Sequence, residues 1–396
     1  MRIRSLLYFL LAAKLLSCKK ETAPSAPLIN SFTPEKGAYN LVVTIHGKNF
    51  DSLINSTTVR FNGVPAQILF VSDTMISAKV PETATTGKIS VTVEGRTGTS
   101  NNDFIILPGK WILKKAIAAP GFERRHELIS FVIGNKAYAG LGHNGGTTIK
   151  DFWEYDPATE TWTRKADCGI DAAGAAAMVI NGKAYVVAGN SHNYVPCCPT
   201  EYPRQVWEYD PASNQWTRKN DFPFPGRWGP FGIGLNGKGY LFWGVLYSGG
   251  YVVNECWQYD PLADSWTQKA NPALPATAIM FMSTGFTINN KIYLGTTAYG
   301  SGRYWFEYDP ASNTWTRKAD YPGDEFYAAS GFAIGNKGYV AGGGSECWEY
   351  DPLSNAWKQV AFFQNPRVAG TAFTLNNRGY YLMGGYTDND FWEFIP

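Results

Sequence analysis

The chain has 396 residues, 35 basic against 33 acidic, and 44% of them are hydrophobic. That length suggests two or three domains with enough apolar material for real cores, and the balanced charge offers no basic face of the kind that binds nucleic acid. Aromatic residues reach 15%, with 14 Trp, an excess that a repeat in the second part of the chain accounts for.

At the start, Arg2 and Arg4 precede an apolar run from Ser5 to Ala13. The run is too short for a permanent transmembrane helix and has the form of a targeting segment. Leu15-Leu16-Ser17-Cys18 resembles a bacterial lipobox, although Lys14 and Leu16 depart from the usual pattern. The resemblance implies a signal peptide over 1–17, a lipidated Cys18 and a tether over 18–27. Lys19-Lys20-Glu21 is similar to the tether of Bacteroidetes-type surface lipoproteins, and the absence of Asp after Cys18 implies an outer-membrane address. A lipid chain holds a protein at a membrane without spanning it.

Export makes disulfides permissible. Five further cysteines remain, Cys168, Cys197, Cys198, Cys256 and Cys347. Cys168 with Cys197 or Cys198 is the expected pair, while Cys256 and Cys347 each precede a repeat Trp and read as buried strand residues. No CxxC pair signals zinc, and neither a metal nor a cofactor is expected.

From Leu28 to Pro108 the sequence alternates with period two, as in Leu41-Val-Val-Thr-Ile-His46 and Ile89-Ser-Val-Thr-Val93. This pattern predicts half-buried strands and an immunoglobulin-like sandwich. Ile29-Asn-Ser-Phe-Thr-Pro34, Ile45-His-Gly-Lys-Asn-Phe50, Val59-Arg-Phe-Asn-Gly63 and Ile76-Ser-Ala-Lys-Val-Pro81 resemble the IPT/TIG family, which implies a spacer or interaction module over 28–108.

From Gly109 onward a repeat governs. Aromatic pairs nine positions apart run from Trp153 to Trp162, Trp207 to Trp216, Trp257 to Trp266, Phe306 to Trp315 and Trp348 to Trp357, with a sixth start at Trp392. Upstream of each stands a tight turn, a basic residue and a Tyr two positions on: Lys136/Tyr138, Lys183/Tyr185, Lys238/Tyr240, Lys291/Tyr293, Lys337/Tyr339 and Arg378/Tyr380. Asn-Gly and Gly-Asn suit the positive φ of two-residue hairpin loops. Successive copies lie 54, 50, 49, 42 and 44 residues apart, the period of propeller blades. With Gly342-Gly343 and Gly384-Gly385, the pattern resembles the kelch family. The expected fold is therefore all-β: a six-bladed kelch-type β-propeller over 109–396 behind an N-terminal Ig-like β-sandwich. Trp111-Ile-Leu-Lys-Lys115 mimics Trp162-Thr-Arg-Lys165 and is expected to close the last blade.

Function has to come from residues that break the repeat. The stretch from the turn cation to the next aromatic varies, at 17, 24, 19, 15, 11 and 14 residues, and variable loops on one face suit a binding surface. Eleven residues before the six turn cations stand Arg125, Ala172, Arg227, Met280, Phe326 and Arg367. Three guanidiniums meeting at the channel mouth would suit a carboxylate, sulfate or phosphate. The alternative is that each pairs with local backbone or acids. His126, Trp228, Glu325 and Tyr327 complete the candidate ligand-binding set, with His143 and His192 as secondary rim candidates.

The expectation is a surface-exposed outer-membrane lipoprotein whose propeller top binds a glycan or a protein partner, with the Ig-like domain as spacer or accessory module. One alternative is a sugar epimerase or mutarotase of the sialic-acid mutarotase-like kelch type, and another is an adhesion or scaffold protein with no small ligand. Nothing in the sequence assigns a catalytic residue, since phosphate-loop, nucleophile-elbow and HExxH signatures are all missing.

Overall fold

The computed structural model describes residues 25–396 apart from 115–116, 118, 188, 192–201, 247–251, 275–277, 279, 281, 297–302, 324–327 and 385–388. The chain divides into two compact units, one formed mainly by 42–105 and the other by 106–396.

The first unit is a sandwich. One sheet runs Leu28–Thr33, Val42–Lys48, Met75–Lys79, Gln67–Val71, and the facing sheet contains Arg96–Ile106, Gly87–Val93, Thr57–Phe61 and Val64–Pro65. Alternation places Val43, Ile45, Val59, Phe61, Ile76, Ile89, Val91 and Phe104 in the core, all nearly inaccessible. Phe61 meets Phe104 edge-on at 5.1 Å.

Among the described residues the second unit holds six four-stranded antiparallel sheets and one small hairpin, His143–Asn144 with Thr147–Thr148. Blade one comprises Ile129–Ile133, Lys136–Gly140, Phe152–Asp156 and Thr161–Arg164, and blades two to five repeat this order. Blade six takes three strands, Thr371–Leu375, Arg378–Leu382 and Phe391–Ile395, and its outermost strand is Lys110–Leu113. The register sets Trp111 opposite Phe394 and Leu113 opposite Trp392. Trp111 stacks on Phe363 of blade five at 4.3 Å, so the closing strand is also packed against its neighbour.

The repeated residues explain themselves once the registers are known. In each hairpin the Tyr of Trp-x-Tyr-Asp lies directly opposite the closing Trp, as with Tyr155 and Trp162 or Tyr259 and Trp266. Their ring centroids stand 4.8 to 5.2 Å apart, and such aromatic pairs add roughly 0.5–1.5 kcal/mol beyond area burial. The turn Lys reaches the Asp of the next hairpin, as Lys238 does to Asp260 at 2.7 Å and Lys337 to Asp351 at 2.6 Å.

Neighbouring blades are stapled through the Asp-Pro hairpin. Its last turn residue is left-handed in every complete copy: Glu160, Asn214, Asp264, Asn313 and Asn355 have φ between 46° and 54°. Asn214 Oδ1 accepts both the Tyr209 hydroxyl and the Ala166 N–H of the preceding blade, each at 3.0 Å. Asp264, Asn313 and Asn355 repeat the arrangement on Asn220, Ala270 and Ala319.

Candidate binding site at the mouth of the channel

The six innermost strands line a central cavity of about 320 Å³. Most of its lining residues are Gly, Ala, Ser or Thr, and neighbouring backbones come close. A Cβ at Gly234, for example, would stand 1.7 Å from the Val179 carbonyl oxygen. Ser130, Ser283, Thr284, Ser330 and Thr371 are among the residues that line it.

One end of this cavity is a ring of backbone. Glu127, Gly174, Gly229, Met282, Ala328 and Ala369 each stand nine residues before a turn cation, and each has φ between 47° and 66°. Gly174 N–H donates to Glu127 O at 3.0 Å, Gly229 to Gly174 at 3.0 Å, Met282 to Gly229 at 3.1 Å, Ala369 to Ala328 at 3.3 Å and Glu127 to Ala369 at 2.8 Å. Left-handed backbone costs a non-glycine residue of order 1 kcal/mol. Here it turns five of the six inter-blade connections so that the N–H meets the carbonyl next door. Next to the ring, short bridges join the inter-blade segments to the loops after the second strands of blades one to three: His126 with His143, Ala173 with Asn190 and Trp228 with Val245. Both loop sets therefore share one face.

Of the six ring side chains only Glu127 carries charge. It is 9% exposed and borders the cavity. Its Oε2 accepts the indole N–H of Trp228 at 3.0 Å, across the intervening blade two. Gly174 makes room for this contact, since a Cβ there would lie 2.6 Å from Trp228 Nε1. Among the described residues no cation pairs with Glu127. Burial pushes its carboxyl up to about 7 despite the indole donor, which acts to lower it. Glu127 was missed in the sequence, although a signal was present: it is the one charge in a column otherwise made of Gly, Gly, Met, Ala and Ala.

The three arginines do not form the expected anion fork. Arg125, Arg227 and Arg367 are 1%, 1% and 3% exposed and lie inside their blades. Arg125 makes a two-armed ion pair with Asp151, one arm at 3.0 Å, and also donates to the carbonyls of Leu141 and Glu123. Arg227 binds Glu255 at 3.0 Å and Arg367 binds Asp390 at 2.6 Å. Their guanidinium carbons stand over Phe122, Phe222 and Trp392 at 5.0, 4.6 and 5.5 Å. An acid two positions before the third-strand Trp, and an aromatic platform, consume each charge. The second alternative of the sequence reading is the observed one.

His126 and His143 face each other across a backbone pair, with N–H···O distances of 3.0 Å and ring centroids 5.8 Å apart. Partial burial, with the neighbouring His126 ring, lowers the proton affinity of His143. The Nδ1 atom of His126 lies 3.4 Å from the Val368 carbonyl, toward blade six. Glu127 instead reaches toward blade three. Trp228 is thus brought to Glu127, while the histidines form a separate pair. Glu325, Tyr327 and His192 lie outside the described residues, as does Cys18. Among the described residues no three His, Cys, Asp or Glu side chains converge as a metal site would require.

The expected disulfide is corrected for its described member. Cys168 is a buried free thiol packed with Ile170 and Tyr209 between blades one and two. Burial raises its pKa to about 12. Cys197 and Cys198 lie outside the described residues. Cys256 and Cys347 are buried free thiols on third strands.

Comparison with known proteins agrees with this architecture. Residues 27–106 match the IPT/TIG domain and residues 172–223 the Kelch motif. The chain carries both modules. Kelch-like protein 25 of Xenopus tropicalis is 34% identical over 97 residues, 24% of this chain and 16% of that protein. Kelch-like protein 34 of Homo sapiens is 28% identical over 96 residues, 24% of this chain and 13% of that protein. The chain thus spans less than a fifth of the length of these relatives. A solved structure titled "Structure of YjhT" superposes with a TM-score of 0.57 at 17% identity, covering 68% of this chain and 93% of that one, a likeness of fold.

Proposed function

We propose that the propeller is the binding head of this protein and takes a glycan at the mouth of its central channel. The observation that carries this reading is the Glu127–Trp228 pair on the only charged position of the backbone ring. An indole beside a carboxyl offers a sugar both an apolar face and hydrogen-bond partners, and the cavity has the size of a small-ligand site. The expected preference for anionic ligands is dropped, because all three arginines are neutralised inside their blades. A glycan array and saturation-transfer NMR on the full chain test the reading. Binding should weaken at least about tenfold in Trp228→Ala, and binding unchanged in both Trp228→Ala and Glu127→Gln would remove the site.

A second reading is a sugar mutarotase. Glu127, with its carboxyl raised to about 7, has the proton affinity that general acid–base chemistry favours at neutral pH. Exchange NMR on free anomers checks it, and a rate equal to buffer rejects it. The lipid anchor at Cys18 and the outer-membrane address complete the proposal, with the Ig-like unit as spacer. Mass spectrometry of the mature N-terminus and protease shaving of intact cells test these two points.

A further inference from the structure

We infer that the ring position of Glu127 is a subsite for a primary ammonium group, and that the ligand at the mouth is an amino sugar with a free amine. This rests on the glycan reading above and names its class.

Charge bookkeeping around the mouth is one-sided. Arg125, Arg227 and Arg367 stand two positions before the ring residues Glu127, Gly229 and Ala369, and each is held by its own acid, Asp151, Glu255 and Asp390. Glu127 has no such counterpart among the described residues. It is nine-tenths buried, borders the cavity, and receives one neutral donor, the Trp228 indole. A carboxylate held this way is unstable as an anion unless a cation joins it. The upward shift of its proton affinity is the energetic trace of that missing partner. A proton satisfies the site when it is empty, and an ammonium satisfies it when it is filled.

The surroundings select for size and kind. The other ring positions are Gly174, Gly229, Met282, Ala328 and Ala369, so no other ring side chain competes for the charge. The cavity below holds about 320 Å³, enough for one monosaccharide unit, and its hydroxyls suit a polyol. Ser283 Oγ is buried there without a hydrogen-bond partner among the described residues, a polar atom that a bound hydroxyl would satisfy. Trp228 beside the carboxyl adds an indole suited to a sugar face or a cation. An N-acetylated sugar lacks the charge and would leave Glu127 as it stands in the empty site.

The experiment is calorimetric titration of the full chain at pH 7 with D-glucosamine, N-acetyl-D-glucosamine, D-glucose and n-butylammonium, for wild type and Glu127→Gln. Gln keeps an oxygen for the Trp228 N–H, and a thermal melt verifies that the variant is folded. Glucosamine should bind at least about tenfold more tightly than either neutral sugar, and the variant should lose that advantage and bind the three sugars alike. Equal affinities for the three sugars, or an advantage that persists in Glu127→Gln, would overturn the ammonium subsite while leaving the glycan reading intact. Binding of n-butylammonium to wild type alone, with no sugar bound, would support the subsite and sink the glycan reading. Binding of none of the four overturns both.

Discussion

Lys114 forms an ion pair with Glu160 of blade one at 2.5 Å and another with Glu393 of blade six at 3.2 Å. It follows the closing strand directly, so this one ammonium spans the junction at which the ring shuts. At four other junctions the same place is held by Asn214, Asp264, Asn313 or Asn355, whose side chain accepts a backbone N–H from the blade before. At the closure Glu160 replaces them and finds a lysine instead. The two acids raise the pKa of Lys114 to about 12.

Lys114→Met should therefore loosen the closure more than an ordinary surface change would. Glu393 is 4% exposed and would keep Arg378 as its partner, so the expected loss is about 1–3 kcal/mol rather than the larger cost of an orphaned charge. Urea unfolding measures it. A loss below about 0.5 kcal/mol would place the pair among ordinary surface bridges.

The staple residues give a sharper contrast. Asn214→Ala removes an acceptor shared by Tyr209 and Ala166 and puts Ala at φ 52°. The expected cost is about 2–4 kcal/mol. Asn214→Asp copies what blade three already uses at Asp264 and should cost under about 1 kcal/mol. Thermal melts of the two variants decide; similar losses in both would show that the shared acceptor is not the source of the effect.

Arg125→Ala should cost roughly 3–5 kcal/mol, because Asp151 would remain buried with its partner gone. The double variant Arg125→Met/Asp151→Leu should recover most of this in urea unfolding. Failure to recover would mean that the guanidinium's bonds to the Leu141 and Glu123 carbonyls carry the effect.

Glu127 makes stability depend on pH in a predictable sense. Its folded pKa, about 7, lies above the ordinary 4.5. Below 4.5 both states hold the proton and the group is neutral to stability. Between 4.5 and 7 the unfolded chain ionises while the folded chain does not, so stability falls, and above 7 the penalty is constant. Glu127→Gln removes the penalty. It should match wild type near pH 4 and exceed it at pH 8 by something of order 3 kcal/mol. A difference that is the same at both pH values would show that ionisation of Glu127 is not its source.

Much of this molecule is written locally. Hairpin turns need Asn and Gly at positive φ, as at Asn181-Gly182 and Asn236-Gly237, and cross-strand aromatics need fixed spacing, so blades announce themselves. The likeness of Trp111-Ile-Leu-Lys to Trp162-Thr-Arg-Lys is the trace of the pairing that completes blade six. The site was harder. Counting back from the turns found the correct segment at Arg125, Arg227 and Arg367, but not where those side chains point. Their partners lie 26, 28 and 23 residues downstream, and only the fold brings them near. The clue is a partial correlation among copies: Asp151, Glu255 and Asp390 stand two before the third-strand Trp where the Arg is present, blades two and four have neither, with Gln205 and Tyr304 in that place, and blade five keeps the acid, Glu346, without the Arg. Glu127 was hidden for the opposite reason, since its importance comes from six connections meeting at one point.

That meeting point has a further consequence. In the collar formed by Glu127, Gly174, Gly229, Met282, Ala328 and Ala369, five of the six N–H groups donate to the next carbonyl in the same rotational sense, so the dipoles of those peptides oppose one another across the ring and do not add into one pole. Selectivity then falls to whichever side chain projects from it. Replacing Ala328 or Ala369 by an acid or a base should retune what enters while the scaffold stays as it is, making the collar a natural place to redirect this protein.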